Sequence, residues 1–486
     1  MQNRLKNLET NNPKMTNQKN IEQQLVMAFY GDDFTGSTDA LEFLCRAGAS
    51  TMLFIETPTV AQLQLYPQLQ AFGIAGKTRS MTPVEMEETL VPAFEELKKM
   101  NLRHIHYKVC STFDSSPTIG SIGKVMDLAA KVFANTFIPL LVAAPSLGRY
   151  CLFGNLFAQM GIGSKGEVYR LDQHPSMKNH PVTPADESDL RLHLSKQTKQ
   201  LVGLINILDL EKTDDALNEI LENNINQNNT IVLIDALYQE QLLKIGHLLD
   251  QQVPSNGNLF SVGSSAIDMA LGAYFGKEKK WEPIKEWPDP GIANPLLVLS
   301  GSCSPVTSAQ INWAKANDFE ELILDADEIN ATGWMANSVQ QALVKAQLFL
   351  AANKSVVIHT NAFAYQNKQD TEQKTNFTNQ SSEPINQVSR NIDAKKIGTV
   401  LGLLAKKLHE ITPIKRVVLA GGDSSSYAAR AMEIDAVEMI APLVAGAPLC
   451  KVHAKNKGVD GLEINFKGGQ VGAEDYFGIL KQGKTH

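Results

Sequence analysis

Short apolar runs alternate with amphipathic stretches along most of the chain. Residues 25–29 (Leu-Val-Met-Ala-Phe) read as a buried strand. Ala40, Leu41, Phe43, Leu44 and Ala47 then recur at helical spacing, Gly48 is placed to end that helix, and a second apolar run follows at 52–55. Strand, polar loop, helix, strand is the opening of a right-handed βαβ unit. Further strands are expected near residues 72–75, 104–110, 138–144, 202–207, 231–235, 295–300, 356–360 and 417–420. Helical periodicity marks 84–99, a helix from about Ser308, 397–408 and 427–432. The pattern predicts an α/β protein of two domains with mainly parallel sheets.

Breaks in the pattern divide the chain. Residues 1–22 are rich in Asn, Gln and Lys without an apolar core, and read as a disordered tail rather than a signal peptide. Between 276 and 295 prolines and charges replace periodicity, which is the signature of a linker. The expected units are therefore an N-terminal domain over 23–275 and a C-terminal domain over 296–486. The polar stretch 365–390 reads as a flexible excursion, and the proline-rich 172–184 as a long loop. His174 and His180 in that loop suggest a metal only weakly, because no third ligand is close in sequence.

With 43% hydrophobic and 20% charged residues in 486, the chain can bury a substantial core. A net charge of -7 argues against a nucleic-acid-binding surface. The five cysteines show no CxxC spacing, so a reducing cytoplasm fits best. No apolar run is long enough to span a membrane.

Candidate chemistry sits where strands end, the side on which open α/β sheets bind ligands. In the first half the loop from Tyr30 to Asp39 holds more carboxylates and hydroxyls than a helix cap needs. Asp32, Asp33, Asp39, Lys77, Arg79, Lys108, Ser111, Asp114 and Arg149 all lie in such loops. Cations there would grip a small acid, and an aspartate would accept a hydroxyl proton. In the second half Gly421-Gly422-Asp423-Ser424-Ser425-Ser426 leads into a helix, an arrangement suited to phosphate. The loops at Gly301 and Gly468 would add backbone donors. A charged domain beside a glycine-rich one suggests phosphoryl transfer across a cleft.

The motifs Asp-Asp-Phe-Thr-Gly-Ser-Thr-Asp (32–39), Gly-Ser-Cys-Ser-Pro-Val-Thr (301–307), Gly-Gly-Asp-Ser-Ser (421–425), Ala-Gly-Ala-Pro (445–448) and the terminal Lys-Gly-Gly-Gln-Val-Gly occur in one order. Together they resemble the four-carbon acid sugar kinase family. The resemblance implies an N-terminal domain that binds the acid sugar and a C-terminal domain that binds ATP, with Mg²⁺ assisting. By that analogy Ser302, Ser304, Gly421, Gly422, Asp423, Ser424, Gly469 and Gly472 contact nucleotide, and Asp32 and Asp33 sit at the sugar, with Asp33 the first choice of general base and Asp32 the second. Lys108 and Arg149 would hold the acid. The partners expected are a small sugar acid and ATP, with no nucleic acid and no membrane; a homodimer is compatible with the sequence.

The chain departs from the family pattern in one loop. Where many members carry Asp-Ser-Thr-Leu-Arg-Gly-Asn, residues 110–116 read Cys-Ser-Thr-Phe-Asp-Ser-Ser, which places Asp114 where a cation is usual. That swap leaves open a different small sugar as substrate, or a sensor without turnover. A haloacid-dehalogenase-type phosphatase needs Asp-x-Asp, whereas here the aspartates are adjacent. No Gly-x-Gly-x-x-Gly follows a strand, which sets aside a dinucleotide oxidoreductase.

Overall fold

The computed structural model describes residues 25–100, 102–160, 166–180, 182–302, 304–360 and 393–484. The expected tail, the polar stretch 365–390 and Cys303 lie outside the described residues.

Eighteen strands are described. They are β1 (Met27–Gly31), β2 (Thr51–Phe54), β3 (Ala71–Ala75), β4 (His104–Lys108), β5 (Ile138–Leu141), β6 (Arg149–Leu152), β7 (Asn155–Gln159), β8 (Val168–Arg170) and β9 (Leu201–Ile205). They continue with β10 (Asn229–Ile234), β11 (Leu259–Gly263), β12 (Leu296–Ser300), β13 (Phe319–Leu324), β14 (Ser355–Thr360), β15 (Arg416–Ala420), β16 (Ala436–Val444), β17 (Ala447–His453) and β18 (Glu463–Lys467).

Fifteen of them form one sheet in the order β13-β14-β12-β15-β18-β17-β16-β2-β3-β1-β4-β11-β5-β10-β9. The first-half strands β2 to β9 of this order pair in parallel, as do β13 to β18. The antiparallel hairpin β16–β17 joins the two blocks, pairing with β2 on one side and β18 on the other. The sequence reading missed this hairpin, whose turn is Gly446 at φ 74°, and so missed that the two α/β halves share a sheet. A separate three-stranded sheet, β6-β7-β8, was also not foreseen.

The central parallel strands are buried along their whole length, which is why they read as continuous apolar runs rather than alternating ones. The helix Phe34–Arg46 begins where Asp33 caps it and buries Phe34, Ala40, Leu41, Leu44 and Cys45. Each fully buried leucine is worth about 2 kcal/mol. Gly48 ends the turn at φ 93°, and a Cβ there would lie 2.0 Å from the carbonyl of Glu282. That contact shows how the expected linker is held: residues 278–295 carry no regular element, yet Trp281 is buried against Phe275 and the Ile284 N–H donates to the Arg46 carbonyl at 3.0 Å.

Candidate active site

Asp32 and Asp33 follow β1 directly. Gly31 precedes them; a Cβ there would sit 1.9 Å from the Ser37 hydroxyl and displace it from the Asp33 carbonyl to which it donates at 2.6 Å. Arg79, in the loop after β3, forks between the two carboxylates. Its Nε and Nη2 reach Asp32 at 3.0 and 2.7 Å, and its Nη1 and Nη2 reach Asp33 at 2.9 Å each. Asp33 also accepts from the Gly36 N–H at 2.8 Å and the Thr35 hydroxyl at 2.9 Å. Burial pushes Asp32 above the usual carboxylate range despite Arg79. Burial acts the same way on Asp33, but Arg79 and Lys108 outweigh it and hold that carboxyl low. Arg79 was expected to grip a substrate carboxylate; its guanidinium is instead committed to the protein's own acids.

Alternate residues of β4 face one side of the sheet, and each meets an aspartate. His104 Nε2 lies 3.0 Å from Asp250, His106 Nδ1 3.2 Å from Asp268, and Lys108 Nζ 4.0 Å from Asp39. Only Lys108 is at the carboxyl end of the strand, beside the Asp33 loop. Its ammonium donates to the Val109 carbonyl at 3.0 Å, so it keeps donor capacity for a ligand. Asp39 accepts from Ser265, and its carboxyl is raised by burial.

The 110–116 loop folds on itself. Cys110 Sγ and Thr112 Oγ1 are 2.9 Å apart, Thr112 donates to Asp114 at 2.8 Å, and Phe113 takes φ 57°. Ser111 is half-buried beside them. Arg149, assigned from sequence to hold the acid, donates through Nη1 to the carbonyls of Leu147, Gly148 and Gln159, tying β6 to the end of β7. Its Nε is buried without a partner. His174 and His180 accept backbone N–H bonds from Ser176, Met177 and Thr183, and so serve to form turns.

Three small-residue loops meet at the carboxyl ends of β12, β15 and β18. The Gly301 N–H donates to the Ala420 carbonyl at 3.0 Å, and the Gly421 N–H to the Lys467 carbonyl at 2.8 Å. Gly421 has φ 135°, and a Cβ there would lie 2.3 Å from Ser424 Oγ and 3.3 Å from the Ser302 nitrogen. At Gly469 a Cβ would be 3.2 Å from Ser302 Oγ and 3.3 Å from Ser304 Cβ. Gly422 faces open space. Helix Gly422–Ala431 starts here, five residues earlier than its periodicity suggests, so its unpaired N–H groups open onto this cradle. Ser304 caps helix Pro305–Ala316 and donates to the Gly469 carbonyl. Gly472 does something else. At φ 85° its Cβ position would overlap the Tyr476 ring, and its carbonyl accepts from Gln310.

Lys467 went unassigned in the sequence reading. It is fully buried at the end of β18, and its ammonium donates to Thr307 Oγ1 at 2.9 Å and to the carbonyls of Gly468 and Gly469 at 2.8 and 3.3 Å. Burial drives it down to about 7. The available signal was a lysine ending an apolar strand immediately before two glycines.

The two halves of the site touch. Arg430 donates to the carbonyls of Ile55 and Ala75 at 3.1 and 3.0 Å and to Glu56 at 2.8 Å. Lys77 Nζ lies 6.0 Å over the Tyr427 ring, the Gly446 N–H reaches Glu42 at 2.9 Å, and Phe34 meets Phe466 with ring centroids 4.5 Å apart.

Comparison with known proteins agrees with this layout. Residues 27–271 match the family model described as a sugar-binding N-terminal domain, and 297–477 the one described as a nucleotide-binding C-terminal domain. The chain is 37% identical over 461 residues to a 3-oxo-isoapionate kinase of Paraburkholderia graminis, covering 95% of each. It is 26% identical to a 3-oxo-tetronate kinase of Pseudomonas fluorescens, covering 93% of this chain and 95% of that one. A crystal structure of a Salmonella typhimurium LT2 protein shares the fold with a TM-score of 0.74 at 23% identity, over 94% of this chain and 99% of that one. On both domain matches, and on a relative that aligns nearly end to end, the chain belongs to the four-carbon acid sugar kinase family.

Proposed function

We propose that this protein transfers the γ-phosphoryl group of ATP to a hydroxyl of a small 3-oxo sugar acid. The observation that carries the reading is the junction itself: a phosphate-suited cradle at Gly301, Gly421 and Gly469 faces a charged strand-end loop at Asp32–Asp39. Phosphoryl transfer asks a protein for positioning and charge neutralisation, and the two halves divide that work. The backbone N–H groups of the Gly421 loop, with Ser302, Ser304, Ser424 and Gly469, would receive the phosphates. Lys108 and Lys77 would hold the acid, with Ser111 and Asp114 contacting its hydroxyls, while Arg79 fixes Asp32 and Asp33 in place.

Mg²⁺ would arrive with the nucleotide. Among the described residues no three His, Cys, Asp or Glu side chains converge on one point, and magnesium in phosphoryl-transfer sites takes only one or two protein carboxylates beside the phosphates. When bound it would neutralise charge on the phosphate oxygens.

Relatives named for 3-oxo acids support these acids as the first choice, and the higher identity to the 3-oxo-isoapionate kinase is the reason to try that acid before the tetronates. The altered 110–116 loop accords with a substrate other than the usual tetronate. Kinase names on relatives that align over nearly the whole chain weigh against a sensor. The test is ADP release with ATP and Mg²⁺ against 3-oxo-isoapionate, 3-oxo-tetronates, tetronates and neutral tetroses. Turnover confined to a 3-oxo acid supports the reading; turnover of neutral sugars alone, or of none, refutes it.

A further inference from the structure

We propose that Asp423, on the nucleotide side of the cleft, is the general base that takes the proton from the substrate hydroxyl. The assignment rests on the kinase reading above. A general base needs a carboxylate oxygen open to the reacting hydroxyl. Asp33 fails this requirement: two Arg79 nitrogens, the Thr35 hydroxyl and the Gly36 N–H fill the four acceptor positions of its carboxylate. Asp32 is held by Arg79 through both oxygens and is only 3% exposed. Asp39 accepts from Ser265 and faces Lys108.

Asp423 is placed differently. It lies in the first turn of helix Gly422–Ala431, is exposed to solvent, and engages in none of the hydrogen bonds or ion pairs described. Its direction follows from its helix. Asp423, Tyr427 and Arg430 stand at i, i+4 and i+7, so they share one face. Tyr427 lies under Lys77, and Arg430 bonds the backbone at the ends of β2 and β3. That face therefore points at the first half of the chain, with Asp423 at its phosphate end. Although its side chain reaches solvent, the protein around it partly desolvates the carboxyl and raises it, and the negative charge of Asp33 raises it further against the pull of Arg79, which suits a proton acceptor.

In the step, the substrate hydroxyl oxygen bonds to the γ-phosphorus and the bond from that phosphorus to the β,γ-bridging oxygen breaks. ADP leaves with that electron pair. The hydroxyl proton passes to an Asp423 carboxylate oxygen and then to water once product has left. Neutralising Asp423 as the phosphates shift removes a like charge at that moment.

The experiment compares wild type with Asp423→Asn and Asp33→Asn, using the 3-oxo acid that wild type accepts. Asp423→Asn is expected to lower kcat by about 10²- to 10⁴-fold, to leave Mg·ATP affinity within about threefold, and to abolish the acid limb of the kcat–pH profile. Its melting temperature should not change, because no bond is lost. A kcat within tenfold of wild type overturns the assignment. So does recovery of kcat at high Mg²⁺ or with Mn²⁺, which would make Asp423 a metal ligand, and so does a loss confined to Asp33→Asn. A wild type silent with every acid overturns both this assignment and the kinase reading; an active wild type with an active Asp423→Asn overturns this one alone.

Discussion

Replacing Lys467 by methionine should separate stability from nucleotide binding in opposite directions. The ammonium is buried with three neutral oxygen partners, the Tyr476 ring 5.6 Å away, and no carboxylate bonded to it. Burial lowers it from 10.5 to about 7, a penalty on the charged form of roughly 5 kcal/mol. The sign follows from proton binding. Below pH 7 the folded protein bears the full penalty. Between pH 7 and 10.5 the unfolded chain holds a proton that the folded chain has shed, so stability rises with pH; above 10.5 the penalty is gone. Methionine removes the penalty but forfeits three hydrogen bonds at about 1 kcal/mol each. The variant should thus be more stable than wild type by about 2 kcal/mol at pH 6, and less stable above about pH 8.

Because Lys467 bonds the Gly468 and Gly469 carbonyls under the cradle proposed for the phosphates, nucleotide binding there should reverse the balance. One phosphate charge about 4 Å from the ammonium is worth roughly 4 kcal/mol at an effective dielectric of 20, enough to keep the lysine charged at pH 8. Binding should then take up about 0.9 proton at pH 8 and about 0.1 at pH 6. Calorimetry of Mg·ATP binding in buffers of different ionisation enthalpy measures this uptake, and the difference between wild type and Lys467→Met isolates the lysine from the nucleotide's own titration. Equal uptake by the two proteins at pH 8 would falsify the placement of Lys467 beside the phosphates.

Two further substitutions test the two halves of the site. Arg79→Ala leaves Asp32 and Asp33 buried without their shared counter-ion, and should cost about 3–5 kcal/mol of stability; Arg79→Lys should recover little, since an ammonium cannot reproduce the fork. Thermal melts of the three proteins decide this, and a melt of Arg79→Ala matching wild type would sink it. Gly421→Ala forces a Cβ to 2.3 Å from Ser424 Oγ at φ 135°, whereas Gly422→Ala points into open space. Nucleotide affinity should fall at least about tenfold in the first and by less than about threefold in the second, by the same calorimetry; equal losses would mean that the cradle is not where the nucleotide binds.

What the sequence disclosed was local. The loop holding Asp32 and Asp33 stood out between an apolar run and a helical period, and the glycine-rich loops at 301, 421 and 468 stood out after strand-like runs. Long-range pairing was hidden. Nothing near Arg79 tells that its partners are two aspartates 46 and 47 residues earlier, so a committed structural arginine read as a free substrate cation. Arg149 misled in part for the same reason: beside the adjacent Leu147 and Gly148 carbonyls it takes that of Gln159, brought near by the unforeseen β6–β7 turn. Lys467 was passed over because its side-chain partner, Thr307, lies 160 residues away. Asp423 was grouped with the nucleotide loop because its neighbours are glycines and serines; the direction of its side chain follows only from the partners of Tyr427 and Arg430 on the same helix face.

The junction of the halves explains how these parts meet at all. Between β18 and β1 lie β17, β16, β2 and β3, five strand spacings, or about 24 Å across a flat sheet. Yet the rings of Phe34, just after β1, and Phe466, on β18, are 4.5 Å apart. The sheet must therefore fold over on itself between them. The register of β16 against β17 slips twice, between Met439 and Ala441 and again between Ala441 and Val444, and such irregularities bend a strand and increase its twist. Helix Phe34–Arg46 fills the concave side, with Glu42 receiving the Gly446 N–H from the hairpin turn. The distance between the Asp33 loop and the Gly421 loop is thus set by a bent sheet and a packed helix. The segment 278–295 connects the halves in sequence, but the curvature of the sheet is what brings their two chemistries to one place.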